Sequence, residues 1–481
     1  MTILMEDHTA LRYESDSIGT KEIPNNAYYG VQSLRAMENF SITGGKLHIE
    51  MINSLALLKK ACAVTNKNAG VLDPHIADAI AKACDLLVEG RFHDQFIVDP
   101  IQGGAGTSIN MNANEVIANI AIELLGGEKG DYSIVHPNDH VNYGQSTNDV
   151  IPTAGKMTAL ILLQDLKKSL THLRDKFHEK AIEFDAVIKM GRTQLQDAVP
   201  IRLGQEFAAY ASAVERSLNR LDQTETELYT VNIGGTAIGT GLNADSVYFH
   251  HIAETLSVLT GFPFRQASDL IDATQNIDCF AAISGTLKNC ALSLSKIAND
   301  LRLMSSGPRA GFGEINLPAK QNGSSIMPGK VNPVIPEVVS QVAYKVAGND
   351  VTIAMAVEAG QMELNAFEPV IFESLFQSIT ILGNAAFTFA DNCVSGITAN
   401  EERCRELLDS SVGMITALCP HIGYARAAKI AKEALAKQIP VKELILRENI
   451  LSEEELNKIL NAYGMTEPGI SGKELLSQES R

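Results

Sequence analysis

Two long stretches with apolar residues at helical spacing constrain the fold more than any other feature of this sequence. The apolar residues of the first stretch are Leu163, Leu166, Leu170, Leu173, Phe177, Ala181 and Phe184, and those of the second are Phe207, Tyr210, Val214, Leu218, Leu221 and Leu228. Steps of three and four place each set on one face of an α-helix. Each stretch covers about thirty residues, or about 45 Å at about 1.5 Å per residue. Helices of this length are typical of a bundle.

The rest of the chain extends this bundle and adds a smaller domain at each end. Two further helical stretches are predicted at 273–304 and 336–392, the second interrupted near Phe367-Glu368-Pro369. Strand signals are few and short, so the predicted fold is mainly α. The chain has 481 residues, which corresponds to roughly three domains of ordinary size. We predict an N-terminal mainly helical domain over 1–149 with an irregular lead-in over 1–30, a central long-helix bundle over 150–400 with loops at 191–199, 231–243 and 305–335, and a small C-terminal helical domain over 401–481.

Composition argues against several classes of partner. The net charge of −17, from 40 Lys and Arg against 57 Asp and Glu, disfavours nucleic acid or an anionic membrane as the main partner. The seven cysteines form no C-x-x-C pair, which favours reduced thiols in a cytoplasmic protein. Residues 1–15 lack the basic region and apolar core of a signal peptide. No apolar run is expected to reach the roughly 18 residues that cross a bilayer.

The most unusual loop is Gly323–Pro333, which reads G-S-S-I-M-P-G-K-V-N-P. It combines two hydroxyls, a cation and an amide with glycines and prolines, a mixture that suits neither a helix interior nor a central strand. Loops held between rigid helices are frequent sites of function. We therefore take Ser324, Ser325, Lys330 and Asn332 as candidate functional residues.

Two further polar loops open predicted helices. A glycine-rich turn delivers Thr107 to the start of one helix, and residues 142–149 deliver Ser146, Thr147 and Asn148 to the start of another. Free N–H groups at helix starts bind anions, and neighbouring hydroxyls extend that binding. Each loop by itself is also typical of an ordinary helix N-cap. Together with the 323–333 loop, they predict a site for a molecule with more than one carboxylate.

Three other kinds of site are disfavoured. The G-x-G-x-x-A segment at 239–244 lacks a good preceding strand and a βαβ unit, so it predicts a glycine-rich turn between helices and not a dinucleotide site. No G-x-S-x-G elbow surrounds Ser324, which disfavours a Ser-His-Asp hydrolase. The eleven histidines include no H-E-x-x-H motif, so no catalytic metal site is predicted.

Several segments, in order along the chain, resemble the fumarase/aspartase superfamily. The loop at 323–333 matches the signature G-S-S-x-M-P-x-K-x-N-P at every fixed position. The other matching segments are 106–112, 138–142, 145–149, 191–197 and 234–237. This resemblance covers nearly the whole chain. It implies three mainly helical domains, a twenty-helix core formed by the long helices of a homotetramer, and active sites that are each shared by three subunits.

Within the superfamily, the chain is most similar to the aspartase branch. It reads Gly-Thr-Ser at 106–108, Asn-Asp-His at 138–140 and Ser-Thr-Asn-Asp at 146–149, where fumarases tend to read Gly-Thr-Gln, Asn-Asp-Asp and Ser-Ser-Asn-Asp. Many members pair a histidine in G-R-T-H-L-Q-D with a glutamate. Here Gln194 replaces that histidine while Glu337 is retained, which excludes a His-Glu relay and disfavours fumarase. The implied reaction is the reversible deamination of L-aspartate to fumarate and ammonia.

The resemblance also implies a role for each candidate residue. Ser324, as an alkoxide, would take the Cβ proton and leave an enediolate-like (aci-carboxylate) intermediate. Thr107, Ser146, Thr147 and Ser325 would surround the β-carboxylate, Lys330 and Asn332 would hold the α-carboxylate, and Asn148 and Thr193 would contact the amino group with Gln194 nearby. The loop is expected to close over the substrate and exclude water.

Cofactors, partners and alternatives follow from the same resemblance. It implies a small-molecule substrate, L-aspartate or fumarate, with no required cofactor, Mg²⁺ as an optional activator, and no nucleic-acid or membrane partner. The alternatives are class II fumarate hydratase or another lyase of the superfamily. A non-catalytic structural protein on the lyase scaffold is a further alternative, but it predicts loss of Ser324, Lys330 or Asn332, and all three are present.

Overall fold

The computed structural model describes residues 10–476, and over that range the chain is mainly helical, as predicted. The helices of the first half are α1 (Val31–Asn39), α2 (Ile49–Asn68), α3 (Pro74–Val88), α4 (Thr107–Leu124), α5 (Thr147–Glu183), α6 (Leu203–Thr224) and α7 (Ser246–Thr260). Those of the second half are α8 (Leu270–Gln275), α9 (Asp278–Met304), α10 (Val334–Glu358), α11 (Glu368–Asn392), α12 (Glu401–Ser410), α13 (Cys419–Ile422), α14 (Tyr424–Lys437), α15 (Val441–Arg447), α16 (Glu453–Ile459) and α17 (Lys473–Leu476). The strands are β1 (Leu11–Asp16), β2 (Gly19–Pro24), β3 (Ile188–Thr193), β4 (Gln196–Arg202), β5 (Thr230–Val231), β6 (Arg265–Gln266), β7 (Ile315–Asn316) and β8 (Thr398–Ala399).

The long helices follow the apolar periodicity closely. Of the predicted apolar positions, Leu163, Leu166, Leu170, Leu173, Phe177, Phe184, Phe207, Tyr210, Val214, Leu218, Leu221 and Leu228 are buried. α5 is longer than predicted, with 37 residues, and α6 is shorter, with 22. The predicted break near Phe367 is confirmed, since α10 ends at Glu358 and α11 begins at Glu368. The helix predicted from 273 is instead divided into α8 and α9.

Two segments predicted as irregular are β-hairpins. In the lead-in, β1 and β2 pair antiparallel from Leu11↔Pro24 to Asp16↔Gly19. In the predicted loop at 191–199, β3 and β4 pair antiparallel with a bulge around Gly191. A Cβ added at Gly191 would lie 2.6 Å from the carbonyl oxygen of Val199, so this strand position needs glycine. The glycine weakened the strand signal, because glycine is depleted in regular strands.

A short parallel strand pair flanks the glycine-rich segment before α7. β5 and β6 pair over two residues each, with α7 between them. The expectation that no βαβ unit surrounds this segment was therefore wrong, although each of the two strands is only two residues long. The prediction of a glycine-rich turn between helices is confirmed, since Gly234, Gly239 and Gly241 have positive φ in an irregular stretch.

The chain divides into two compact units, which are described separately. The first comprises the chain up to Lys167 with Asn219–Asn289 and Tyr344–Leu382. Its core is formed by α2, α3, α4 and α7, and every residue of α4 from Ile109 to Ile122 is buried. Burial of a helix on all sides requires partners for its polar side chains. The carboxylate of Glu115, for example, accepts from the backbone N–H groups of Gly30, Gln32 and Ser33.

The second unit comprises Lys168–Leu218, Cys290–Ala343 and the chain from Gly383. Phe177 packs against Phe207 and Phe389, with ring centroids 6.2 and 6.0 Å away. A separate apolar cluster near the end of the chain contains Leu418, Ile430, Ala434, Val441, Leu444, Ile445, Leu456 and Ile459. The three-domain division at 149 and 400 remains a prediction, and its residues 1–9 and 477–481 lie outside the described range.

The expectation that no apolar run is long enough to cross a bilayer was wrong for one helix. Residues Glu368–Gly396 are long and apolar enough to cross a membrane by length and composition, but 61% of the most apolar window is buried within the protein. Core helices of globular proteins have the same character. The seven cysteines, all within the described range, form no disulfide bond, and six of them are buried.

Candidate active site

The turn formed by Ser146, Thr147 and Asn148, where α5 begins, carries three of the predicted substrate-binding side chains, all partly exposed. Ser146 Oγ accepts a hydrogen bond from the backbone N–H of Asn148 at 3.2 Å. Thr147 Oγ1 accepts one from Asn110 Nδ2 at 3.3 Å. Because each oxygen is used as an acceptor, each hydroxyl keeps its own hydrogen for another partner. Ser146 and Thr147 can therefore both donate a hydrogen bond to a bound molecule.

Asn148 has the opposite polarity. Its Nδ2 donates to the backbone carbonyl oxygen of Ala237 at 2.7 Å, and its backbone carbonyl oxygen accepts from Asn232 Nδ2 at 3.0 Å. One hydrogen of the side-chain NH₂ group is thus bound to Ala237, and the side-chain oxygen Oδ1 is available to accept. The turn thus offers two donors beside one acceptor, which suits a carboxylate next to an ammonium group.

A buried aspartate ties this turn to the glycine-rich segment. Asp149 Oδ1 accepts from the backbone N–H of Ser146 at 2.9 Å, and Oδ2 accepts from the N–H groups of Gly234 and Thr236, both at 3.0 Å. Burial raises the pKa of Asp149 to about 6, although these three donors favour the ionised form. Thr236 has φ +55°, a strained value for a β-branched residue. Asp149 holds that backbone in place.

Thr107 begins α4, after Gly106 with φ +83°. Its hydroxyl donates to the carbonyl oxygen of Gly104 at 2.7 Å. In this rotamer the hydroxyl hydrogen of Thr107 is already bonded within the turn, so donation to a substrate requires rotation about χ1. Thr107 also lines an open cleft of about 520 Å³ whose wall includes Arg35 and His136. The Arg35 guanidinium is already bound by the carboxylate of Asp16 at 2.8 and 3.0 Å.

The 323–333 loop is a closed, solvent-exposed turn. Ser324 Oγ accepts from the backbone N–H groups of Ile326 at 3.2 Å and Met327 at 3.0 Å. Asn332 Nδ2 donates to the carbonyl oxygen of Gly323 at 2.7 Å and closes the loop at its base. Two N–H groups directed at one hydroxyl oxygen favour its negatively charged form. Lys330 is exposed at the end of the same loop.

The β3–β4 hairpin carries Thr193 and Gln194. Thr193 pairs with Gln196 across a two-residue turn made of Gln194 and Leu195. Both turn residues have positive φ, 55° and 62°, as in the type I′ turn that normally favours Asn-Gly. Positive φ in two non-glycine residues costs free energy, and it presents Gln194 at the exposed tip of the hairpin.

The structure groups the predicted site residues within each unit. In the first unit, Asn110 links the starts of α4 and α5, which carry Thr107 and Ser146–Asn148. The second unit contains Thr193, Gln194, Ser324, Ser325, Lys330 and Asn332. No sequence pattern singled out Lys59, Asn110 or Asp149, although the last two lie inside the segments 106–112 and 145–149 that resemble the superfamily. Within the 10–476 range, no group of three His, Cys, Asp or Glu side chains is arranged to hold a metal ion.

Comparison with known proteins places these loops in a family. The family model described as Lyase matches residues 19–348, and the model described as Fumarase C C-terminus matches residues 414–467. The chain belongs to the fumarase/aspartase superfamily of lyases. Members of the superfamily act on small molecules, and the matched range 19–348 includes the loops described above.

Individual members of the superfamily match along nearly their full length. An aspartate ammonia-lyase from Bacillus sp. is 56% identical over 466 residues, covering 97% of this chain and 100% of the relative. The crystal structure of a fumarate lyase:delta crystallin from Brucella melitensis bound to cobalt has a TM-score of 0.93 at 49% identity, covering 95% of this chain and 100% of that one. A class II fumarase from Schistosoma mansoni has a TM-score of 0.92 at 35% identity, with the same coverage.

Proposed function

We propose that this chain is an aspartate ammonia-lyase, which converts L-aspartate reversibly to fumarate and ammonia. The observation that carries the proposal is the polarity of the Ser146–Asn148 turn. Two hydroxyl donors suit a carboxylate, and the neighbouring amide oxygen of Asn148 suits an ammonium group. The high identity to an aspartate ammonia-lyase over the whole chain supports the same activity.

The chemistry requires stabilisation of a charge that develops on the substrate. Removing the Cβ proton places extra negative charge on the β-carboxylate, which becomes an enediolate-like dianion. Preorganised donors directed at such a charge contribute about 3 kcal/mol each. We assign this role to Ser146, Thr147, Thr107 and Ser325. Thr107 must first release the Gly104 carbonyl to take part.

Ser324 is the proposed base. Its alkoxide takes the Cβ proton, the electron pair of the C–H bond passes through the β-carboxylate into the new double bond, and the Cα–N bond breaks to release ammonia. The serine proton then passes to ammonia or solvent. The N–H groups of Ile326 and Met327 support the alkoxide, and the positive charge of Lys330, on the same loop, favours it further.

The other predicted residues complete the substrate contacts. Lys330 and Asn332 hold the α-carboxylate, and Thr193 joins Asn148 at the amino group, with Gln194 nearby. Gln194 carries no titratable proton, so no histidine relay assists the base at this position. The strained I′ turn that presents Gln194 supports a functional role for it.

The proposed assembly is a homotetramer in which three subunits build each active site. An exposed apolar stripe on α10 supports it: Tyr344, Val351 and Met355 are 63, 59 and 69% exposed, and a Cβ added at Gly348 between them would meet nothing within 4 Å. Large exposed apolar patches mark interaction surfaces. The seven cysteines form no disulfide bond, which supports a cytoplasmic location. Mg²⁺ remains an optional activator.

Fumarate hydratase is the second candidate, because the Schistosoma mansoni class II fumarase shares the fold at 35% identity. The purified chain is assayed with L-aspartate and L-malate in parallel, by the ultraviolet absorbance of fumarate. We expect fumarate and stoichiometric ammonia from aspartate, and none from malate. Fumarate from malate alone would overturn the proposal in favour of the hydratase. Fumarate from neither substrate would overturn the enzymatic assignment.

A further inference from the structure

A buried chain of polar side chains runs behind the Thr147 hydroxyl. Lys59, which is completely buried, donates from Nζ to Asn142 Oδ1 at 2.8 Å and to Gln145 Oε1 at 2.9 Å. Asn110 Nδ2 donates to the same Asn142 oxygen at 3.2 Å and to Thr147 Oγ1 at 3.3 Å. The chain therefore runs from an ammonium group to a predicted substrate-binding hydroxyl.

The ammonium group fixes the polarity of every member of this chain. A lysine ammonium has only donors, so Asn142 must turn its oxygen toward Lys59. Asn142 Nδ2 donates to the carbonyl oxygen of Gln145 at 3.2 Å, which agrees with that orientation. Since the Asn142 oxygen is an acceptor, Asn110 must present its NH₂ group to it. The second hydrogen of the same NH₂ group then reaches Thr147 Oγ1.

These bonds leave the hydrogen of the Thr147 hydroxyl available for a bound molecule. Its oxygen accepts from Asn110, and no described group accepts its hydrogen. The arrangement leaves Asn110 Oδ1 buried without a hydrogen-bond partner among the described residues. An unpaired buried amide oxygen costs about 1–3 kcal/mol. A residue kept at such a cost in stability is expected to serve function.

We infer that Asn110 is a positioning residue that holds the Thr147 hydroxyl as a donor to the substrate carboxylate. This inference rests on the proposed function. Asn110 touches no substrate and acts through Thr147. Because the extra charge on the β-carboxylate exists only in the intermediate, a misdirected Thr147 hydroxyl lowers kcat and leaves KM nearly unchanged.

The test variant is Asn110→Asp, which keeps the shape of the side chain and reverses its polarity. A carboxylate offers only acceptors, so Thr147 would donate its hydrogen inward to residue 110. We expect kcat for L-aspartate to fall at least about 30-fold, since one misdirected donor is worth about 10²-fold in related sites, while KM changes less than about threefold. Asn110→Ala, which cannot donate to Thr147, serves if the first variant fails to fold and is expected to lower kcat about 10-fold.

Asn112→Asp is the matched control on the same helix. Asn112 is equally buried, but it bonds the backbone of Gln95 and Ile97 and no predicted site residue. It is expected to lower the unfolding temperature while leaving kcat within about threefold of wild type, since a stability loss alone does not redirect a donor. The effect of Asn110→Asp is also measured in a Thr147→Ser background, where the hydroxyl is retained, and there the kcat loss should persist.

The outcomes separate this inference from the proposed function. If wild type releases no fumarate from aspartate, the proposed function fails. If wild type is active and Asn110→Asp retains wild-type kcat, or lowers kcat no more than Asn112→Asp does, Asn110 has no positioning role. A rise in KM with unchanged kcat would likewise contradict the inference, because it would indicate loss of ground-state binding.

Discussion

At the scale of single residues, hydrogen-bond polarity decides what the Ser146–Asn148 turn can bind. Sequence supplies the residue types, but serine, threonine and asparagine can all donate or accept. The structure resolves this through partners that are distant in sequence, such as Ala237 for Asn148 and Asn110 for Thr147. In the proposed site, these neighbours let the turn distinguish a carboxylate from an ammonium group without touching the substrate themselves.

Titration of Asp149 gives a prediction at this scale. Its pKa is raised by burial from 3.8 to about 6, so between about pH 4 and 6 the folded protein holds a proton that the unfolded chain has lost. The contribution of this group to the free energy of unfolding therefore decreases as pH rises through that window, by about 3 kcal/mol at most. Above and below the window its contribution is constant.

Comparison with Asp149→Asn isolates that contribution, because asparagine does not titrate. The free energy of unfolding of each protein is measured with urea at pH 4 and at pH 7. Between these pH values, that of wild type should fall by up to about 3 kcal/mol more than that of the variant. If the free energies of unfolding of wild type and variant changed by the same amount from pH 4 to pH 7, the raised pKa of Asp149 would be contradicted.

At the scale of elements, the 323–333 loop depends on one close backbone approach. A Cβ added at Gly323 would lie 2.1 Å from the carbonyl oxygen of Lys330 and 3.0 Å from the nitrogen of Asn332. Contacts this short with backbone atoms force the loop to open. The Asn332–Gly323 hydrogen bond, and with it the arrangement of Ser324 and Lys330, would then be lost.

Gly323→Ala is therefore expected to lower kcat/KM for aspartate at least about 10-fold, since misplacement by about 1 Å costs about 10²-fold. The unfolding temperature should change little, because the loop is exposed. Gly329→Asn is the control: its φ of +82° is compatible with asparagine, and an added Cβ meets nothing within 4 Å. Wild-type kcat/KM in Gly323→Ala would show that the closed loop is unnecessary.

Some elements were predictable from the sequence and others were not. The long helices were predictable because their apolar periodicity extends over many turns, as in Leu163–Phe184. The β3–β4 hairpin was not, because Gly191 and the Gln194-Leu195 turn lack the usual strand and turn residues. Nor was Lys59 predictable as a buried cation, since its partners Asn142 and Gln145 lie more than eighty residues away.

At the scale of the whole molecule, the apolar stripe of α10 gives a prediction about assembly. Tyr344, Val351 and Met355 are apolar and exposed on one helix, and a charge buried in an interface is costly. Val351→Glu should therefore dissociate the proposed tetramer, which sedimentation velocity measures. Activity should be lost as the tetramer dissociates, because the proposed active site needs three subunits.

Val258→Glu is the matched control for assembly. Val258 is also an exposed valine, 80% accessible on α7, but it stands outside the α10 stripe. The control should keep the sedimentation coefficient and the activity of wild type. A Val351→Glu variant that remains a tetramer, or an active monomer, would contradict the proposed assembly.

The central claim is that Ser324 is the base, held in its charged form by the N–H groups of Ile326 and Met327. The most direct measurement is kcat for fumarate release from L-aspartate by Ser324→Ala, with assembly and unfolding temperature checked on the same sample. The predicted result is a loss of about 10³-fold in kcat, the usual contribution of a positioned base. A variant that remains assembled and turns over within about threefold of wild type would contradict the account.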